Sequence, residues 1–180
     1  MPEPEQRRAL EQLYAAHERG LINVAYRYVW NAEDARDLVH DAFVRLWRKR
    51  DRIEWERAAG LAYRTVLGLA ANRRRGDRFR RTITGWWGDE AHHVCDPAAG
   101  SDDRLADLAL DADVRRAIEA LPERLRSVLV MCAFSDLDQA AIGAILEIPV
   151  GTVGSRRTEA IAVSTARGVA PPLSALAEAD

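Results

Sequence analysis

Apolar side chains recur at three- and four-residue steps along most of this chain, and no stretch of useful length alternates polar with apolar residues. A period near 3.6 gives each helix one apolar stripe, whereas a half-buried strand needs a period of two, so the pattern restricts the fold to all-α. The first stripe is Leu10, Leu13, Tyr14, His17, Leu21, Val24, Ala25 and Tyr28, with Gly20 predicting a bend in its middle. Asn31, three residues before Asp34, is placed to cap a second helix carrying Ala35, Leu38, Val39, Ala42, Phe43, Leu46 and Trp47. That helix is acidic at its start (Glu33, Asp34, Asp37) and basic at its end (Arg45, Arg48, Lys49), the order its dipole favours.

Residues 51–56 read as a polar loop broken by Ile53 and Trp55. A third helix follows, with Leu61, Ala62, Thr65, Val66, Leu69 and Ala70 facing inward and a dense arginine run over 73–81 at its end. Residues 82–110 lose the periodicity and collect Gly, Pro, Ser and acidic groups, which marks a flexible acidic linker. Periodicity returns from Asp111 with Val114, Ile118 and Leu121. Pro122 then reads as a first-turn residue, ahead of Leu125, Val128, Leu129 and Cys132. The expected organisation is two small helical domains, 1–81 and 111–168, with a tail at 169–180.

The chain is 180 residues long with a net charge of −2. That small total hides a strong segregation: residues 45–81 carry +9 and residues 82–123 carry −7. A basic block beside an acidic one suggests one polyanion-binding surface and one acidic connector. All but one of the basic residues are Arg, Lys49 being the exception. Arginine's planar fork suits phosphate and guanine edges, although a GC-rich genome would give the same bias. No run reaches the roughly 18 apolar residues of a membrane span, and the acidic N-terminus is no secretory signal. Cys95 and Cys132 are too few for a disulfide framework, so a cytoplasmic, reducing compartment is expected. His92, His93 and Cys95 do not complete a four-ligand zinc set and read as loop residues; neither a metal nor a cofactor is expected.

Over residues 137–157, Ile142, Ile145 and Leu146 form one apolar face, Glu147-Ile148-Pro149 breaks the helix, and Val150-Gly151-Thr152-Val153 opens another. This describes a helix-turn-helix whose second helix would present Thr152, Ser155, Arg156 and Arg157 to DNA. A helical hairpin packed only for stability has the same pattern.

Two longer motifs add to that reading. Leu121-Pro122-Glu123-Arg124-Leu125-Arg126-Ser127-Val128-Leu129, followed by Ile148-Pro149-Val150-Gly151-Thr152-Val153-Gly154-Ser155-Arg156, resembles region 4 of bacterial sigma factors. Ala35-Arg36-Asp37-Leu38-Val39-His40-Asp41-Ala42-Phe43-Val44-Arg45-Leu46-Trp47 resembles their region 2. Order, spacing and the acidic connector resemble the extracytoplasmic-function (ECF) group, which keeps only these two domains.

The resemblance implies a dissociable promoter-specificity subunit of RNA polymerase, with the core's β′ and β subunits and promoter DNA as partners. It also admits an anti-sigma factor wedged between the domains. It assigns Asp37, Leu38, Val39, Asp41, Phe43 and Trp47 to the β′-docking surface or the core beneath it. For the −10 element it implies Asp51, Arg52, Trp55, Arg57, Tyr63, Arg64, Thr65, Arg73, Arg74 and Arg75. Aromatic platforms and cationic backbone contacts are what melted single strands require. Trp55 could equally anchor the loop against the helices, and the arginine run could be a solvated face. Trp86-Trp87 could be a wedge in the linker or an anchor onto either domain. For the −35 element the resemblance implies Thr152, Ser155, Arg156 and Arg157.

Several positions depart from the family pattern. Gly68 stands in place of a common Asn, Ala141 of an acidic residue, Glu147 of the turn glycine, and Gly154 of a lysine in the recognition helix. The expected consequence is a weaker, less salt-sensitive −35 contact. The competing function is a stand-alone helix-turn-helix regulator that binds duplex DNA without polymerase. A hydrolase or metal enzyme finds no Ser/His/Asp set, phosphate loop or metal cluster here.

Overall fold

The computed structural model describes residues 2–84 and 112–166. Seven α-helices carry these residues: α1 (Glu3–Val29), α2 (Ala32–Arg48), α3 (Ala58–Thr84), α4 (Ala112–Ala120), α5 (Glu123–Phe134), α6 (Gln139–Leu146) and α7 (Val150–Thr165). Two short 3₁₀ turns, Arg50–Arg52 and Trp55–Arg57, make up the loop between α2 and α3. Among the described residues there is no strand. Apart from its first three residues, which complete α3, the segment read as a linker lies outside the described residues, with Trp86, Trp87, His92, His93 and Cys95.

The N-terminal half is a three-helix bundle around Leu21, Val24, Tyr28, Val39, Phe43 and Val66. Asn31 caps α2 as its spacing predicts, its side chain accepting from the Asp34 N–H at 2.9 Å. Before that cap, Trp30 ends α1 in the left-handed region at φ 56°. Gly20 does not interrupt α1. Its missing side chain instead makes room for α3, because a Cβ there would stand 2.3 Å from the Tyr63 hydroxyl. Gly20→Ala gains about 0.5–1 kcal/mol of helix propensity but must displace a buried ring, at about 1–3 kcal/mol. Net destabilisation is expected in urea unfolding. Adding Tyr63→Phe should recover much of it, since the next atom, Cζ, lies at an ordinary 3.5 Å. An additive double variant would refute this account.

In the C-terminal half, Leu121, Leu125, Leu129 and Ala160 form a small core between α5 and α7. Pro122 occupies the N-cap of α5 at φ −56° rather than its first turn, so the helix begins at Glu123. Asp138 caps α6 by accepting from the Ala141 N–H at 2.7 Å. Glu147 then closes α6 in the left-handed region at φ 57°. Gly143 makes the tight turn into α7 possible, because a Cβ there would be 2.9 Å from the Ile148 carbonyl oxygen.

The halves also pack on one another. Ile118, Val128, Met131, Ile142 and Ile145 belong to the same buried cluster as the N-terminal bundle rather than to the small core. Helix α5 is therefore buried on two sides, one facing α7 and one facing α1, and Val130 and Met131 are fully enclosed.

Candidate nucleic-acid interface

On α2, Asp37 and Asp41 are exposed one turn apart, with Leu38 half-buried between them. Trp47 is half-buried further along the helix, and the Arg50 guanidinium stacks on its ring at 4.6 Å. Val39 and Phe43 point the other way, at 1% and 7% exposure. Phe43 meets Tyr14 edge-on at 4.9 Å. Both therefore lie in the core beneath the exposed side of α2, where direct contact with another molecule is closed to them. Of the six residues, the two carboxylates and the half-buried Leu38 and Trp47 remain at the surface, with the exposed Arg45 and Arg48 further along the helix.

Asp51 is held by the buried Gln6, whose Nε2 donates to it at 3.2 Å. Arg52 and Arg57 are exposed, Arg57 pairing with Glu54 at 3.2 Å. Ile53, not Trp55, is the loop residue packed against the core. Trp55 stays half-exposed, which leaves its ring available as a stacking platform. At the far end of α3, Arg73 donates to Asp34 at 2.7 Å, Arg74 to the Glu119 carbonyl at 2.7 Å, and Arg75 to Asn72. Thr65 spends its hydroxyl on the Leu61 carbonyl at 2.7 Å.

Tyr63 departs from its expected role. It is 1% exposed, its ring meeting His17 edge-on at 5.9 Å. Burial and the nearby Asp136 push its pKa up to about 12. In this arrangement no base can reach it. Arg64 is exposed but engaged, pairing with Glu147 and donating to the Ala144 carbonyl at 3.4 Å. An open cavity of about 270 Å³ lies beside this pair, with Tyr28, Gly68, Glu123 and Ile145 among its walls.

On α7, Ser155 is exposed, while Thr152, Arg156 and Arg157 are half-buried. Nothing presses on Gly151, and Gly154 has only the Gln139 side chain nearby. The outward surface of this helix is therefore small and only weakly basic. Val150, at its first turn, is an exposed apolar residue.

Sequence patterns missed the residues that join the halves. The Arg27 guanidinium is buried 4.2 Å from the centre of the Phe134 ring, and burial lowers its pKa to about 10. Arg27 and Arg115 both lie 5.5 Å from the centre of the Trp30 ring. The Tyr28 hydroxyl donates to Glu123 at 2.9 Å across 95 residues of sequence. No local pattern marks Arg27, which stands between Tyr26 and Tyr28 on the buried side of α1. Among the described residues no His, Cys, Asp and Glu cluster could hold a metal, and no helix is long and apolar enough to cross a membrane.

Comparison with known proteins matches each half separately. The family Sigma-70 region 2 matches residues 13–80, and Sigma-70, region 4 matches residues 111–162. The ECF RNA polymerase sigma factor SigE of Mycolicibacterium smegmatis is 30% identical over 148 residues, covering 81% of this chain. The chain spans 56% of that relative's length. The RNA polymerase sigma-H factor of Pseudomonas aeruginosa is 27% identical over 157 residues, covering 83% of this chain and 81% of its own. Among solved structures, the sigma factor RpoE of Bartonella quintana in complex with the anti-sigma factor NepR superposes with a TM-score of 0.56. The two share 20% identity, and the match covers 99% of this chain and 97% of that one. With both regions matched in order and the helices in place to carry them, the chain belongs to the ECF group of the sigma-70 family of RNA polymerase sigma factors.

Proposed function

We propose that this protein directs core RNA polymerase to specific promoters and assists their melting, acting as a specificity subunit rather than a catalyst. The observation that carries this reading is the coexistence, in one chain, of an exposed acidic face on α2 and a helix-turn-helix in α6 and α7. A stand-alone regulator has no use for the first. In this reading Asp37, Leu38, Asp41 and Trp47 dock on the polymerase β′ subunit. The loop with Trp55 and the arginines of α3 contact the −10 strand. Thr152, Ser155, Arg156 and Arg157 face the −35 duplex. An anti-sigma factor, the class of partner seen on the Bartonella relative, is a further expected partner. The protein works where the polymerase does, in the cytoplasm.

The test is reconstitution with core polymerase. The chain should co-elute with the core, and the holoenzyme should initiate transcription from a set of genomic fragments sharing two spaced elements. Sequence-specific duplex binding as a dimer, with no affinity for the core, would instead establish the stand-alone regulator.

Electrostatics gives a separate expectation. Each phosphate contact contributes about 0.7 to the slope of log affinity against log salt on single strands and about 0.9 on duplex. Replacing Arg73, Arg74 and Arg75 with Ala should flatten the slope for holoenzyme on promoter fragments by roughly two. Replacing Arg156 and Arg157 should change the slope less and shift preference among −35 sequences instead. A larger slope change from the α7 pair would place the main electrostatic anchor in the C-terminal half.

A further inference from the structure

Gln6 is the only buried residue of α1 ahead of Gly20, and its neighbours Glu5 and Arg7 are exposed. It extends the helical stripe by one step, a turn before Leu10. A leucine at that step would be buried at no polar cost. A carboxamide must be desolvated and is destabilising unless it is hydrogen-bonded. Its bond runs to the loop between α2 and α3, where Nε2 donates to Asp51 Oδ1 at 3.2 Å across 45 residues of sequence. The other polar contacts of that loop are local. Arg50 donates to the Trp47 carbonyl at 3.2 Å, the Arg52 N–H donates to the Lys49 carbonyl at 2.8 Å, and Arg57 pairs with Glu54. Among the described residues, the Gln6 bond is therefore the one hydrogen bond or ion pair that ties residues 49–57 to a distant part of the chain.

We propose that Gln6 is a positioning residue for recognition of the −10 strand. By clamping Asp51 it sets the path of the loop that carries Arg52, Trp55 and Arg57, and it makes the first turn of α1 part of the promoter-reading apparatus. This rests on the promoter-opening role proposed above for that loop, and deepens it. The physical argument is preorganisation. Arg52 and Arg57 are exposed and Trp55 is half-exposed, so their own packing does little to fix them. Ile53 packs on the core, but one apolar contact leaves the turn before it free to pivot. The Gln6–Asp51 bond adds a second fixed point on the other side of Arg52. It also holds the negative charge of Asp51 against α1, in a turn whose other two members are arginines. A strand gains affinity in proportion to the fraction of chains already in the binding geometry. A hydrogen bond to a charged acceptor shifts that fraction about tenfold.

The experiment removes the bond and then rebuilds it with donor and acceptor exchanged, in the full-length chain assembled with core polymerase. The probe is a fluorescein-labelled single-stranded DNA of mixed sequence, and affinity for the core is measured in parallel. Gln6→Leu keeps the bulk of the side chain but removes the donor. Affinity of the holoenzyme for the probe should fall about tenfold, with affinity for the core within about twofold of wild type. The urea midpoint should be equal or higher, because an apolar group now continues the stripe. Amide hydrogen exchange should quicken over residues 49–57. Gln6→Glu sets a second carboxylate beside Asp51 and should lose as much DNA affinity. Adding Asp51→Asn to Gln6→Glu rebuilds the bond in side chains of unchanged shape and should bring DNA affinity back to within about twofold of wild type. Unchanged DNA affinity in Gln6→Leu would overturn the proposal. Equal losses of DNA and core affinity would do the same, because they would mark a general structural role. Failure of the exchanged pair to restore binding would also overturn it, since Asp51 would then contact the strand itself. A wild-type holoenzyme that binds the probe no better than core polymerase alone would overturn the promoter-opening role and this inference with it. Amide exchange over 49–57 tells the two failures apart, because it reports the clamp without DNA or polymerase.

Discussion

Reversing both Asp37 and Asp41 to Lys is expected to lower affinity for core RNA polymerase more than a hundredfold while leaving the fold intact. The two carboxylates are exposed, one helical turn apart, and no ion pair within the described residues involves either. A pair of acidic groups on the rim of Leu38 and Trp47 suits a basic partner surface. Reversal replaces attraction with repulsion at two adjacent points, a change of about 3 kcal/mol or more when the contacts are desolvated. The cost to the isolated chain is small. Lys is a better helix former than Asp, and the new like-charge neighbour Arg45, one turn from position 41, costs only about 0.2–0.5 kcal/mol. Circular dichroism and urea midpoints should therefore match the wild type within about 0.5 kcal/mol. Unchanged core affinity in a pull-down would remove α2 as the docking element.

The second large effect is expected at Arg126, which is 3% exposed. Its guanidinium closes the turn between α4 and α5. Nε donates to the Ile118 carbonyl at 2.9 Å, and Nη2 donates to the carbonyls of Glu119, at 3.0 Å, and Leu121. Nη1 pairs with Glu123 at 2.8 Å. These carbonyls end α4, where unsatisfied oxygens collect and a positive charge is favoured. Arg126→Met keeps most of the apolar stem but strands several buried acceptors and one carboxylate. Removing one partner of such a network costs about 3–5 kcal/mol, a large share of the roughly 5–15 kcal/mol that holds a domain together. Hydrogen exchange should show the α4 and α5 amides losing protection first. Because Glu123 also accepts from Tyr28, the loosening should reach α1 as well. A loss below about 1 kcal/mol would show that water readily replaces the guanidinium at these carbonyls.

The local grammar of this chain is legible without coordinates. A stripe at helical spacing is a property of neighbouring residues, so α1, α2, α3 and the helix-turn-helix could be placed from the sequence. So could the Asn31 cap, because capping involves residues three apart. The acidic surface of α2 followed from the same periodicity, which puts Asp37 and Asp41 opposite Val39 and Phe43. What periodicity reports is that a side chain is buried; it does not say against what. Gly20 looked like a helix weakness because the ring that needs its space, Tyr63, is 43 residues away. Nothing local distinguishes Arg27 and Arg126 from surface cations, because the Phe134 ring and the carbonyl cluster that receive them exist only after the chain has folded. Arg64 and Glu147, 83 residues apart, carry no local sign of pairing. The amino-acid sequence by itself determined the helices, their charged faces and the two family motifs, all set by short-range sterics and hydrophobic spacing. Only the tertiary structure decided that the two halves share a core, since the identity of a distant partner is fixed by packing rather than by any residue's neighbours.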